Sequence, residues 1–290
     1  MSDFKNAAEL LALCEEKHLP ISEVMWQREI ELGETTREET HQRMMRVLEI
    51  MRESALTPIR GPIRSMGGLI GGEAKKLAQQ QAQGKSCCTG VLAKAITYAM
   101  AILETNASMG LIVAAPTAGS AGIVPGVLLA LQEEREASDE AILSALFNAS
   151  AIGYLAMRNA TVAGAVGGCQ AEVGVAAAMA ASAGVELLGG SPKQCLNAAS
   201  TVLMNLLGLV CDPVGGLVEY PCQNRNAAGA AVALTAAEIA LAGIDQLIPF
   251  DEMLETMYTV GKRIPAELRE TALGGCATTA SACAACGGCQ

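Results

Sequence analysis

The stretch LGLVCDPVGGLVEYPCQNRN, residues 207–226, sets Cys211 and Cys222 eleven residues apart among Gly and Pro, beside Asp212, Glu219 and Arg225. Cys169 lies 42 residues before Cys211, behind the glycine turn of VAGAVGGCQAEVG. Turns aim a side chain where no helix face would point it. A helix N-terminus close by favours the thiolate over the thiol, because its free N–H groups stabilise negative charge. Three such thiolates meeting at one point suit an iron–sulfur cluster with one iron left unligated. They also suit zinc with an open position. Taken singly, each reads as a small buried core residue, and the spacing alone does not choose between these readings.

The C-terminal residues Cys283, Cys286 and Cys289 form C-x2-C-x2-C, with Cys276 upstream. That run resembles part of a ferredoxin pattern without its fourth Cys and Pro. It reads either as a separate metal site or as a thiol-bearing tail that reaches another site. Cys14, Cys87, Cys88 and Cys195 lie on or beside helical stretches and read as core or surface thiols. The chain opens MSDFKNAAELLALCEEKH, without a basic segment leading into an apolar one. No secretory leader is therefore expected, and the eleven cysteines are expected to be reduced thiols or metal ligands rather than disulfides.

Two polar glycine loops add a second chemistry. SMGGLIGGEA, residues 65–74, and APTAGSAGIVPG, residues 115–126, combine Gly with Ser or Thr ahead of a helix. Backbone N–H groups at such places bind carboxylates or phosphates. Neither loop matches G-x-x-x-x-G-K-[ST], which disfavours a nucleotide P-loop. The same glycines also suit tight helix packing. The two histidines, His18 and His41, lie in the charged N-terminal stretch, so no Ser/His/Asp triad is proposed. No lysine sits in the glycine-rich motifs.

These residues need a scaffold to position them. Apolar residues make up 51% of the chain, aromatics only 3%, and the core must be built from Ala, Gly, Val, Leu and Met. Ala is the best helix former and its small side chain lets helices approach closely, so an all-α fold is expected. Thr36 and Glu39 form a capping box before an apolar stripe at Met44, Val47, Leu48 and Met51, and Pro58 is expected to stop that helix. Ser22, Ser138 and Ser191 read as N-caps, the last with Pro192 at the first helical position. Pro265 is expected to open a further helix over AELRETALGG, ended by Gly274. The uncharged run over residues 105–132 is long enough for a membrane span, but Pro116, Pro125 and its Gly residues favour a buried loop and helix. The expected organisation is one large helical domain. Residues 1–57 form a helical arm of that domain, 58–275 its catalytic part, and 276–290 a flexible or ligand-ordered Cys-rich tail. A formal net charge of −10 disfavours nucleic acid as a partner.

MGLIVAAPTAGSAGIVPGVL, NATVAGAVGGCQAEVGVAAAMAA, GLVCDPVGGLVEYPCQNRNA and MYTVGKRIPAELRETALGG together resemble the α subunits of iron–sulfur-dependent L-serine dehydratases, over nearly the whole chain. That resemblance implies an all-helical lyase that converts L-serine to pyruvate and ammonia without pyridoxal phosphate. It implies a [4Fe–4S] cluster on Cys169, Cys211 and Cys222, whose open iron receives the substrate. Ser65, Met66, Gly67 and Gly68, with Thr117, Ala118, Gly119 and Ser120, would hold the substrate carboxylate, next to Asn159 and Arg225. Ser65, Thr117 and Ser120 are the expected catalytic hydroxyls. Cys283, Cys286 or Cys289 is the expected tail ligand. Single-chain relatives carry an extra N-terminal domain, so the resemblance also implies a separate β subunit, a homo- or hetero-oligomer, and a cytoplasmic role in amino-acid degradation and gluconeogenesis. Two rivals are a related L-cysteine desulfidase-type lyase and an iron–sulfur or zinc carrier built on the C-terminal cysteines.

Overall fold

The computed structural model describes residues 3–287. They form thirteen α-helices: α1 (Ala7–Lys17), α2 (Ile21–Gly33), α3 (Arg37–Arg60), α4 (Glu73–Ala82), α5 (Gly90–Ala107), α6 (Ile123–Arg135) and α7 (Asp139–Asn159). After these come α8 (Gly164–Gly167), α9 (Val175–Leu187), α10 (Pro192–Asn205), α11 (Cys222–Leu241), α12 (Phe250–Arg263) and α13 (Ala280–Ala285). No strand occurs among the described residues; the nearest thing is one bridge between Cys211 and Arg269. The all-α expectation holds.

Helix α9 is the centre. Every residue from Val175 to Val185 is buried, as a helix apolar on all sides must be. Its faces pack on α6, α7, α10 and α11. Phe4, just before α1, and Leu10, Ile21 and Val24 of α1 and α2 are buried in the same core cluster as α9. Helices α5 and α6 meet backbone to backbone. A Cβ on Gly122 would lie 2.3 Å from Ala99 O, and one on Gly126 would lie 2.9 Å from Ala95 O. Helix α7 is long and apolar enough to cross a membrane by length and composition, and 67% of its apolar window is buried inside the protein. The run over residues 105–132 is broken, as expected, into the end of α5, a loop and α6.

The caps at Thr36, Ser138 and Ser191 form as read, the first and third as full capping boxes. Three local expectations need correction. Helix α3 runs through Pro58 to Arg60. The ring nitrogen leaves the Ser54 carbonyl without its helical donor, and Thr105 Oγ1 on α5 supplies one at 2.7 Å. Ser22 is not an N-cap. It lies inside α2 and its N–H is met by Glu186 Oε2 of α9 at 3.3 Å, a cap delivered from another helix. The segment after Pro265 makes only a short turn, Ala266–Leu268. Its backbone is committed elsewhere: Leu268 O accepts from Cys211 N at 2.9 Å and Glu270 N donates to Cys211 O at 2.7 Å. Part of the tail is ordered, with Thr279 capping α13.

Candidate active site

Cys169 follows Gly168, whose φ of +75° turns the chain out of α8. It opens a π-helical turn, Gln170–Gly174, that leads into α9. Such wide turns are rare and concentrate at functional sites. Glu172 lies on that turn. Cys211 lies on the extended segment bridged to Arg269. The ligand atoms of Cys169, Glu172 and Cys211 all fall within 4.8 Å of one another. The wall opposite is Gly164: a Cβ there would stand 2.6 Å from Glu172 Oε2 and 3.0 Å from Cys211 Sγ. Cys222, the first residue of α11, is buried nearby but lies outside that tight group.

The electrostatics suit a cation. Hydrogen bonding with Cys211, and the positive charge of Arg225, pull the Cys169 thiol below its ordinary value of 9.0 despite burial. The same hydrogen bond, then burial, pushes Cys211 up. Burial pushes Cys222 up to about 12 and raises Glu172 above the usual carboxylate range. A half-buried carboxylate and a buried thiolate side by side repel each other unless a cation joins them. The donors present therefore fit a thiophilic metal.

Arg225 lies one turn into α11. Its Nη1 donates to Val210 O at 2.9 Å and lies 2.6 Å from Asp212 Oδ1. Asp212 Oδ2 accepts from Cys276 N at 2.6 Å, which ties the start of the tail to the site. Cys286 stands against the Val214–Gly216 turn, where a Cβ on Gly215 would be 2.9 Å from its sulfur. Cys283 lies on α13, and Cys289 lies outside the described residues.

Both glycine loops rest on the segment between Cys211 and Cys222. Gly67 packs on Leu217 and Glu219, and Gly119 packs on Val218 and on Glu172. Thr117 Oγ1 donates to Glu172 Oε1 at 2.8 Å and lies 3.1 Å from Ser120 Oγ. The N–H groups of Thr117, Ala118 and Gly119 have no hydrogen-bond partner among the described residues. Asn226, fully buried, pins this turn: its Nδ2 donates to Gly119 O and Cys222 O, and its Oδ1 accepts from Gly122 N. Ser65 Oγ donates to Glu219 Oε2 at 2.6 Å, and Met66 is 74% exposed.

The structure therefore gathers Cys169, Cys211, Thr117 and Ser120 around Glu172, with Arg225 beside them. It does not gather Asn159, whose amide is spent on Lys5 O at 2.8 Å. Glu172, Glu219, Asp212 and Asn226 were not singled out as site residues in the sequence, although each lies within a motif that carries a site cysteine. Their signal was a carboxylate or amide at a short interval from a cysteine.

The serine dehydratase alpha chain family profile matches residues 16–277. A probable L-serine dehydratase alpha chain of Bacillus subtilis (strain 168) is 47% identical over 276 residues, covering 95% of this chain and 92% of that protein. The L-serine dehydratase alpha chain of Peptoniphilus asaccharolyticus is 44% identical over 272 residues, 94% of this chain and 93% of its own length. L-serine dehydratase 2 of Escherichia coli (strain K12) is 38% identical over 97% of this chain, which spans only 62% of that longer protein. With a profile match over most of its length and relatives this similar across nearly all of it, the chain belongs to the serine dehydratase alpha chain family.

Proposed function

We propose that this chain is the catalytic component of an L-serine dehydratase, removing water from L-serine to give pyruvate and ammonia. The observation that carries the reading is the convergence of Cys169, Cys211 and Glu172 within 4.8 Å, next to the Thr117 hydroxyl. Cys169, Cys211 and Cys222 would hold a [4Fe–4S] cluster, which when bound supplies a Lewis acid that stabilises the departing hydroxide. The chain's own residues do the rest. The open N–H groups at Thr117, Ala118 and Gly119 receive the substrate carboxylate. Glu172, its proton affinity raised by burial, takes and returns a proton through Thr117 Oγ1. Arg225 balances the negative charge of the thiolates. The reading needs no pyridoxal phosphate and places the enzyme in the cytoplasm. A separate subunit, suggested by the alpha-chain names of its relatives, completes the enzyme.

Protein reconstituted anaerobically with iron and sulfide, and mixed with its partner subunit, is expected to release pyruvate from L-serine. Cys211→Ala is expected to lose the visible absorbance of the cluster and turnover together. An intact cluster without pyruvate overturns the reading. L-cysteine in the same assay, with sulfide as the readout, tests the desulfidase alternative.

A further inference from the structure

The loop over residues 65–72 has no backbone donor to spare. Ser65 N donates to Ile70 O, Met66 N to Ala107 O and Gly68 N to Ser65 O. Ile70 N donates to Ser65 Oγ and Gly71 N to Glu73 Oε2. Glu219 takes two more N–H groups: Gly67 N donates to its Oε1 at 2.6 Å and Leu69 N to its Oε2 at 2.9 Å. With the Ser65 hydroxyl, three donors converge on one carboxylate that is only 2% exposed. The far end of the loop is held in the same way. Gly72 N and Ala74 N donate to the buried carboxylate of Glu104, which also receives Gln223 Nε2 at 3.1 Å. Glu219 and Gln223 flank Cys222 in sequence, so the whole loop is fastened to the turn that carries the third cysteine.

We propose that Glu219 is a positioning residue that occupies this cradle permanently, so the loop over residues 65–72 walls the site and does not receive the substrate carboxylate. This rests on the reading of the chain as an L-serine dehydratase. A buried carboxylate with three good donors is held firmly. A second carboxylate cannot share those donors, because two like charges at contact repel and one must be protonated or expelled. The loop also packs directly on this carboxylate: a Cβ on Gly67 would stand 2.7 Å from Glu219 Oε1 and 2.3 Å from Leu217 Cδ1. The wall therefore shapes specificity through its side chains and its position.

The test is Glu219→Gln in the reconstituted holoenzyme with its partner. The amide keeps the size but replaces an acceptor oxygen with a donor nitrogen, loosening the wall. The KM for L-serine is expected to rise about tenfold while kcat per intact cluster stays within about threefold. If the substrate carboxylate instead competes with Glu219 for the loop, weakening the competitor lowers KM. A lower or unchanged KM overturns the proposal. A role in folding alone would reduce the cluster-loaded fraction and leave KM unchanged. A second measurement needs no variant: in the wild-type holoenzyme without substrate, the Gly67 and Leu69 amides are expected to exchange with deuterium at least about a hundredfold more slowly than an unstructured peptide. Rapid exchange there overturns the proposal. Wild type serves as the control throughout. Failure of wild type to make pyruvate sinks the assigned reaction, and the exchange rates still decide the role of Glu219.

Discussion

A Cβ atom on Gly164 would fall 2.6 Å from Glu172 Oε2 and 3.0 Å from Cys211 Sγ, in the space the donor group encloses. Gly164→Ala is therefore expected to lower bound iron per chain severalfold while the circular dichroism of the helices stays unchanged. Iron and sulfide analysis beside the spectrum checks this. A variant that keeps its full complement of metal would show that the donors rearrange freely. The cysteines themselves were legible as residues, since their glycine turns and motif contexts are written in the chain. Glu172 was not. It stands three residues after Cys169, and only the wide turn at Gln170–Gly174 swings it towards Cys211 and Thr117, which come from other parts of the sequence. Asn159 shows the opposite case. Its motif suggested a place at the site, and packing of the end of α7 against the N-terminal segment spends its amide on Lys5.

Among the elements, α3 depends on a donor from outside itself. Thr105→Val keeps the shape of the side chain but leaves the Ser54 carbonyl beneath Pro58 buried and unmet. A cost of about 1–3 kcal/mol is expected from such an orphaned group, read as a lower denaturation midpoint with no change in slope. Helix α7 supplies a pH prediction. Asp139, in its first turn, is held below the ordinary carboxyl value of 3.8 chiefly by its hydrogen bond from Arg52. A depressed carboxyl adds stability above its unfolded value and loses it as pH falls through the folded one. Asp139→Asn is expected to lower stability near neutrality. The gap to wild type should close as pH drops below about 3.8, and a gap independent of pH would discard the ion pair as its cause. Element starts were readable where a capping box lies next in sequence, as at Thr36 and Ser191. They were not readable at Ser22 or after Pro265, where the partner groups come from Glu186 and Cys211, far along the chain.

On the scale of the whole molecule, the scarcity of aromatics and the abundance of Ala and Gly announced a helical body with close crossings, and α9 buried along its length is the result. Composition could not say which helices cross. That emerges from contacts such as Gly122 on Ala99. Gly122→Ala drives a methyl to 2.3 Å from a backbone oxygen that cannot yield. It is expected to destabilise the fold by about 1–3 kcal/mol or more, measured by urea unfolding, and to raise the KM for substrate in the same variant.

Those two losses should travel together because of where Asn226 sits. Its single amide group grips the turn before α6, the head of α11 and the glycine at the helix crossing. The turn proposed to receive the substrate and the scaffold thus share one fastener, and neither can loosen without the other. Tightening the body for heat resistance would stiffen the entrance too, so gains in durability should be sought at the outer faces of α1, α4 or α12, away from that knot.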